Sequence, residues 1–257
     1  MDILKYDIYN NVYTFSTRRS GGVSTGAYSS FNANPYCGDK IENVVRNQQL
    51  LADALNIDIT QIIIPHQIHH SKILKIDNRF IQASDKMKKI LLDGIDALIT
   101  NIPNYCICVT TADCIPIVIY DAENRATACI HSGWRGTLDN ICQKTIVLMS
   151  KEYGTHPSQC KVVIGPGISL RNFEVGDEVY AMFKDKGYKM ESISAHYDKW
   201  HIDLPGCIKH QLMNCDINAT NIHMSNICTY DNYSNYFSAR RLGIQSGRIL
   251  TGIMLNN

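Results

Sequence analysis

Cys114 and His131 are the two residues of this sequence whose types and spacing first suggest chemistry. Cys114 lies in the apolar run Cys108–Tyr120, and His131 ends a second apolar run, Ala126–His131, after the polar segment Asp121–Asn124. Two β-rich runs around four turn residues predict a β-hairpin. If the turn is symmetric, Cys114 and His131 face each other with Cβ atoms about 5 Å apart. A thiolate and an imidazole at that separation can bind one metal ion, because Zn–S and Zn–N bonds are about 2.0–2.3 Å long.

A third ligand has to come from elsewhere in the chain, and three histidines lie close together at His66, His69 and His70. With strand-like alternation, His66 and His70 lie on one face of the segment and His69 lies on the other. Three nitrogen and sulfur ligands with a fourth position left open are typical of catalytic zinc. The candidate ligands are therefore His69, Cys114 and His131. The alternative is a Cys–His hydrolase dyad, with Cys114 as nucleophile and His131 as base, which needs no second histidine.

Arginines beside turn residues offer candidate anion sites. Arg18 and Arg19 lie in a Gly- and Ser-rich loop that continues to Ser24. Free backbone N–H groups beside a guanidinium can bind an anion, and a solvated turn is the alternative interpretation. Arg240 and Arg241 are adjacent, so in an extended chain at most one of them reaches a cleft.

Trp134 and Arg135 follow the predicted hairpin in a loop bounded by glycines. The indole offers a stacking face for a planar ligand, with Arg135 positioned for an anion. A tryptophan at such a position can equally cover the core. The sequence leaves both interpretations open.

Strands and helices intermix along the chain without strict βαβ alternation, which predicts an α+β fold in one domain of residues 1–257. Outside the hairpin, the predicted strands are Tyr9–Ser16, Ile62–Ile64, Ala97–Thr100, Val162–Ile164, Ile222–Met224 and Arg248–Met254. Amphipathic spacing predicts helices that end near Asn56, Gly154 and Gly187, and Asp203 can cap a further helix. The expected architecture is mixed β-sheets flanked by helices.

Composition limits the class of protein. The 257 residues carry 25 Lys and Arg against 24 Asp and Glu, a net charge of +1. These charges are interspersed, so no binding of nucleic acid is expected. The N-terminus lacks the apolar core of a secretory signal, and no apolar run reaches the roughly 18–20 residues that span a membrane. The ten cysteines are therefore expected to stay reduced in a cytoplasmic protein.

Several longer segments form a combination of motifs: QIHH at 67–70, DALIT at 96–100, TTADCIPIVIYD at 110–121, HSGWRGT at 131–137, and IGPGIS with FEVGDEV within 164–179. Shorter ones are RRSGGVS, FNANPYCGD, CTY and YFSARR. Together they resemble the YfiH-type family, also described as the polyphenol oxidase or laccase-domain family and as peptidoglycan editing factors, which includes purine nucleoside phosphorylases. The resemblance covers nearly the whole chain and implies a YfiH/CNF1-like fold.

The resemblance also implies a zinc-binding catalytic centre. The family's ligands are the histidine of QxH, the cysteine of ADC and the histidine of HxGWRG, which correspond to His69, Cys114 and His131. His70 stands where the family usually has glycine, which leaves open which of His69 and His70 binds. The family's arginine in TRxGGVS corresponds to Arg19 when aligned on the glycines and to Arg18 when aligned on the threonine. The predicted substrate-binding residues are Arg18, Arg19, Trp134, Arg135 and Arg241.

By resemblance, the expected activity is zinc-dependent phosphorolysis of adenosine, inosine and guanosine, with S-methyl-5'-thioadenosine as a further candidate and adenosine deamination alongside. The expected partners are purine nucleosides and phosphate, for a monomer or weak homodimer. Copper binding in vitro is also expected, because thiolate and imidazole ligands bind copper tightly. One alternative is a copper-dependent polyphenol oxidase, which would need more histidines arranged as several copper sites. Another is an amidase or hydrolase that edits peptidoglycan precursors with Cys114 as nucleophile.

Overall fold

The computed structural model describes residues 1–256, in which three β-sheets and nine α-helices position the candidate ligands. The strands are β1 (Ile3–Lys5), β2 (Val12–Thr17), β3 (Ile62–Ile63), β4 (Ile73–Lys75), β5 (Ala97–Thr100), β6 (Cys106–Thr111), β7 (Ile115–Asp121), β8 (Ala126–Ser132), β9 (Lys161–Ile164), β10 (Glu174–Val175), β11 (Ser194–His196), β12 (Trp200–Ile202), β13 (Ile222–Met224) and β14 (Ile249–Leu255). The helices are α1 (Ile41–Leu55), α2 (Asn78–Gln82), α3 (Asp85–Leu91), α4 (Trp134–Leu138), α5 (Ile141–Tyr153), α6 (Asp177–Asp185), α7 (Met190–Ile193), α8 (Leu204–Asn214) and α9 (Ala239–Leu242). Asn257, which the predicted domain includes, lies outside the described residues.

Two mixed sheets stack face to face. The first has the strand order β1-β2-β14-β6-β3 and the second the order β13-β9-β7-β8-β5-β4, and each contains parallel and antiparallel neighbours. Because successive side chains of a strand point to opposite faces, Val118 of β7 packs between the sheets in one core with Ile107 of β6. Its neighbour Ile117 points to the other side, into a core with Ile146 of α5.

Helices cover the outer faces of the two sheets. Leu51 of α1 shares a core with Phe15 of β2 and Cys108 of β6, on the outer face of the first sheet. On the other side, α5, α6 and α8 contribute to the core under the second sheet. The small sheet β10-β12-β11 is antiparallel. The predicted α+β fold of mixed sheets flanked by helices is confirmed.

The predicted hairpin is present, but its register differs from the expected one. In the β7–β8 pair, Pro116 rather than Cys114 lies opposite His131. The turn comprises residues 122–125 rather than 121–124, because Arg125 has φ 49° and belongs to the turn. The prediction that Cys114 and His131 face each other across the ladder is therefore wrong.

Cys114 lies in a sharp bend that joins the two stacked sheets. The run Cys108–Tyr120, predicted as one arm of the hairpin, is divided between β6 of the first sheet and β7 of the second. Strands buried on both faces give continuous apolar runs, so their ends are not visible in the sequence. Asp113 has φ 89°, and its carboxylate accepts hydrogen bonds from Thr229 Oγ1 at 2.6 Å and the Arg240 backbone N–H at 2.7 Å. These bonds hold the bend.

Most other predicted elements are confirmed. The remaining predicted strands overlap with β2, β3, β5, β9, β13 and β14. Asn56 and Gly154 are the C-cap residues of α1 and α5, both in the left-handed conformation. Asp203 caps α8 by accepting a hydrogen bond from the Gly206 backbone N–H. In the described part of the chain, no helix combines the length and apolarity that crossing a membrane requires.

Candidate metal centre

Three separate segments bring His69, Cys114 and His131 together. His69 lies in the loop after β3, Cys114 in the bend before β7, and His131 near the end of β8. One ligand atom from each side chain lies within 4.8 Å of the other two. The rings of His69 and His131 meet edge to face, with centroids 4.8 Å apart. One sulfur and two nitrogens therefore converge on a single point.

The loop that carries His69 is not the extended strand that histidine alternation predicts. His69 has φ 64°, a left-handed conformation that turns the chain. As a result His66 and His69 line the same cavity, whereas His70 lines a separate hollow beside Trp134. His69, rather than His70, is the histidine that the geometry groups with the other two predicted ligands.

Asp96 is the carboxylate that organises the centre, and it is not among the site residues predicted from the sequence. It is fully buried. Its Oδ1 accepts hydrogen bonds from Nδ1 of His131 at 2.7 Å and from the His69 backbone N–H at 3.0 Å, while Oδ2 accepts from the His70 backbone N–H at 2.9 Å. The bond to His131 fixes its tautomer and leaves Nε2 as the ligand atom. The feature of the sequence that could have identified Asp96 is its position directly before the buried strand β5, in the motif DALIT.

Charges in this centre are strongly coupled. Burial alone raises the pKa of the Cys114 thiol, but the charge and hydrogen bonding of His131, and then of His69, outweigh burial and lower the pKa to about 6. Burial alone lowers the pKa of His131, but Cys114 and Asp96 raise it to about 9. Burial likewise opposes ionisation of Asp96, whose pKa is nevertheless lowered, chiefly by its hydrogen bond from His131. The metal-free protein thus holds Cys114 as a thiolate, the form that binds metals.

We expect Cys114 to be the most readily alkylated thiol of the metal-free protein at neutral pH. Its pKa of about 6 keeps the thiolate populated above that pH, whereas burial raises the pKa of Cys108, Cys129 and Cys142. Because the pKa is lowered, reactivity should fall as the pH drops through about 6. The measurement is mass spectrometry of chelator-treated protein exposed to iodoacetamide from about pH 5 to about pH 10. A midpoint near the ordinary cysteine value of 9.0 contradicts the prediction.

The residues present fit a divalent metal such as zinc. Bonds of about 2.0–2.3 Å at tetrahedral angles place ligand atoms roughly 3.3–3.7 Å apart. Atoms that now lie within 4.8 Å of each other would need to approach by roughly 1–1.5 Å at most. The His69 side chain, which is exposed, is not enclosed by other groups on all sides. Gly133 provides space, because a Cβ there would lie 3.0 Å from Cys114 Sγ and 3.3 Å from His69 Cδ2. Three protein ligands leave a position open, as in catalytic sites.

The three candidate ligands line a cavity of about 310 Å³, near the lower end of the roughly 300–1,000 Å³ typical of small-molecule sites. Gln67 joins two of its walls. Its side-chain amide donates to the Thr110 carbonyl at 2.8 Å, and its Oε1 accepts from the Thr110 backbone N–H at 2.7 Å. These bonds fasten the loop that carries His69 to the end of β6, close to Cys114.

Arg248 is the arginine that lines this cavity in the described chain. The predicted strand Arg248–Met254 includes it, but β14 begins at Ile249. Its NH1 donates to the carbonyl oxygens of Ser246 at 2.6 Å and Gly247 at 3.0 Å, and its NH2 donates to that of Ile244 at 2.9 Å. Arg248 therefore holds the loop before β14 and places a positive charge in the cavity.

The arginines predicted to bind substrate lie elsewhere. Arg19 donates to the carbonyl oxygens of Ser29 at 3.0 Å and Tyr233 at 2.6 Å. Arg18 forms an ion pair with Asp2 at 3.5 Å. Arg241 places its guanidinium over the rings of Tyr230 and Tyr233, at 5.0 and 4.8 Å. None of the three belongs to the cavity lining within residues 1–256, and their role in substrate binding stays a prediction.

Trp134 and Arg135 line the separate hollow on the outer side of His69, together with His70. The Arg135 guanidinium lies 4.0 Å from the centroid of the Trp134 ring, and the indole also packs against the core under the second sheet. The arginine therefore occupies the ring face that a planar ligand would use. Substrate stacking on Trp134 stays a prediction.

Comparison with known proteins supplies independent information. The chain matches the family described as multi-copper polyphenol oxidoreductase laccase over residues 13–256. It is 44% identical over 251 residues to a Bacteroides thetaiotaomicron protein named purine nucleoside phosphorylase, covering 96% of this chain and 93% of the relative. It is 36% identical over 245 residues to a protein of an unknown prokaryotic organism named adenosine deaminase RL5, covering 94% and 93%. Among solved structures it is similar to the Bacillus licheniformis hypothetical protein YfiH, with a TM-score of 0.92, 26% identity and coverage of 99% and 97%.

Proposed function

Because the chain belongs to the YfiH-type family described as multi-copper polyphenol oxidoreductase laccases, we propose that it is a zinc-dependent purine nucleoside phosphorylase with adenosine deaminase activity alongside. The observation that carries the proposal is the convergence of His69, Cys114 and His131 at one small-molecule cavity. The names of the relatives at 44% and 36% identity support the two activities.

In this proposal, His69, Cys114 and His131 hold the zinc ion, with His131 binding through Nε2 because Asp96 engages its Nδ1. When bound, zinc supplies a Lewis acid and lowers the pKa of a water molecule at the open position. Asp96 orients the His131 ring and also holds the backbone of His69, so one buried carboxylate positions two ligands. Such a partner also makes the bound imidazole a stronger ligand.

Phosphorolysis transfers the ribosyl C1′ from the purine to a phosphate oxygen, so the site has to hold an anion beside the sugar. We assign this task to Arg248. A guanidinium has five N–H donors, and backbone carbonyls accept from three of them. Among the described residues, the Nε–H and one NH2 hydrogen remain for two oxygens of a phosphate.

We expect Arg248→Lys to raise KM for phosphate about 10- to 100-fold while changing KM for inosine by less than about threefold. Lysine keeps the charge but lacks the fork that holds the loop and the phosphate together. Arg241→Gln is the matched comparison, because Arg241 lies on two tyrosines outside the cavity. Steady-state kinetics with varied phosphate provide the measurement. A higher KM for phosphate in Arg241→Gln but not in Arg248→Lys would favour the sequence prediction instead.

The proposed function is tested by base release from adenosine, inosine, guanosine and S-methyl-5'-thioadenosine, with and without phosphate, on protein of known zinc content. Phosphate-dependent release of the free base, with about one zinc ion per chain, is the expected result. Production of inosine from adenosine without phosphate reports the deaminase activity. Zinc-loaded protein that releases no base contradicts the proposal. Oxygen consumption with a phenol, or metal-independent cleavage of a muropeptide, would instead identify an oxidase or an amidase.

A further inference from the structure

His66 and Asp93 form a second ionisable pair beside the cavity, apart from the candidate metal ligands. Nδ1 of His66 lies 2.6 Å from Oδ1 of Asp93. The backbone holds the two residues together, because the His66 N–H donates to the Leu92 carbonyl at 2.9 Å and the Gly94 N–H donates to the His66 carbonyl at 2.9 Å. The residues on either side of Asp93 are therefore both hydrogen-bonded to the backbone of His66. These bonds give the His66–Asp93 pair a defined position.

The His66 ring has one face covered and one nitrogen open. Tyr36 packs against the ring with centroids 4.6 Å apart and an interplanar angle of 31°. Because a carboxylate only accepts hydrogen bonds, Asp93 holds a proton on Nδ1. No group of the part of the chain described here hydrogen-bonds to Nε2, so this nitrogen can exchange a proton with a ligand. The side chain is 42% exposed, which allows proton exchange with solvent.

We propose that His66 is the general acid that protonates N7 of the departing purine, with Asp93 as a positioning residue. The assignment rests on the proposed phosphorylase function. In the step, a phosphate oxygen bonds to C1′ while the C1′–N9 bond breaks, and the electron pair of that bond moves into the purine ring. The proton on Nε2 of His66 moves to N7, so the base leaves neutral. His66 becomes neutral and keeps its Nδ1 proton on the hydrogen bond to Asp93.

The placement of this pair agrees with the shape of a purine. N7 and the substituent on C6 share one edge of the ring system. A base whose C6 faces His69, Cys114 and His131, as deamination requires, presents N7 to an adjoining wall of the same cavity. His66 lines that cavity together with these three side chains. One orientation of the base thus serves both proposed activities.

The test compares two nucleosides with zinc-loaded wild-type protein, His66→Phe, His66→Gln and Asp93→Asn. Release of hypoxanthine from inosine benefits from a proton at N7, whereas 7-methylguanosine already carries a positive charge there and needs none. His66→Phe keeps an aromatic ring against Tyr36, which separates proton transfer from packing. We expect kcat for inosine to fall about 100-fold in both His66 variants and about tenfold in Asp93→Asn, with less than about threefold change for 7-methylguanosine. Zinc content should not change.

Other results have distinct meanings. Equal losses for both nucleosides, or no loss for either, overturn the role of His66 and leave the phosphorylase proposal standing. Loss of zinc from the His66 variants also overturns it, because the effect would then act through the metal centre. Wild-type protein that cleaves neither nucleoside overturns the phosphorylase proposal and this assignment with it.

Discussion

Replacing Cys114 with alanine should reduce bound zinc from about one ion per chain to less than about 0.1 and slow inosine phosphorolysis by at least about 1,000-fold. The sulfur is the anionic member of the three candidate ligands, since His131 and His69 lower the pKa of its thiol to about 6. Without it, only two imidazole ligands remain, and two ligands do not hold zinc in a catalytic site. Metal analysis after gel filtration and base-release kinetics provide the two measurements.

Three further variants make this result specific. Cys142→Ala removes a buried thiol of α5, which packs in the core under the second sheet, and should leave the zinc content unchanged. His69→Ala should lose zinc, whereas His70→Ala should keep it, because the ligand atom of His69 is the one near Cys114 and His131. If Cys114→Ala keeps its zinc but loses activity, Cys114 is a nucleophile rather than a ligand, and the Cys–His dyad explains the site. Full activity and full zinc content in Cys114→Ala would show that Cys114 is neither a metal ligand nor a nucleophile.

Asp96→Asn should weaken zinc binding about 10- to 100-fold and lower the thermal stability of the metal-free protein. Both carboxylate oxygens accept backbone or imidazole N–H groups, and asparagine replaces one of these acceptors with an NH2 group. A donor then faces a donor in a fully buried position, which costs about 1–3 kcal/mol for the unpaired group. The His131 ring also loses its orientation if its Nδ1 partner is the one replaced. Competition with a chromophoric chelator measures the affinity, and thermal unfolding measures the stability.

Asp121→Asn is the matched control for this experiment. Asp121 is also a fully buried carboxylate, and it accepts hydrogen bonds from Glu123 and Asn124 at the turn of the hairpin, at the opposite end of β7 from Cys114. It should lower thermal stability and leave zinc affinity unchanged. Equal zinc affinities in Asp96→Asn and wild-type protein would show that the His131–Asp96 bond does not support metal binding.

The identity of the candidate ligands could be predicted from the sequence, although the geometric reason for it could not. Cys114 and His131 were expected to meet because they are equally far from the predicted turn, yet the ladder pairs His131 with Pro116. They meet because the chain bends at Asp113 between two sheets. The family motifs around QIHH, ADC and HSGWRG identified the same three residues without any geometry, and the family itself is confirmed by the match over residues 13–256.

What the sequence determined by itself was local. Apolar alternation and turn residues act over a few neighbouring positions of the chain. The hairpin, the short buried strands and the ends of α1 and α5 could therefore be predicted. The same holds for the fold class, because the number and order of elements limit how they can pack. The left-handed conformation of His69 was not visible, since nothing in the local pattern distinguishes it from an extended residue.

Only the tertiary structure decided which distant residues share the cavity. Asp96 supports His131 from the position directly before the neighbouring strand β5, and Arg248 and His66 reach the cavity from loops far apart in the chain. Of the arginines predicted to bind substrate, Arg19 instead donates to backbone carbonyls and Arg241 lies over a tyrosine ring. The physical reason is that periodicity specifies which face of an element is buried, whereas the side chains that meet depend on the register and stacking of whole sheets.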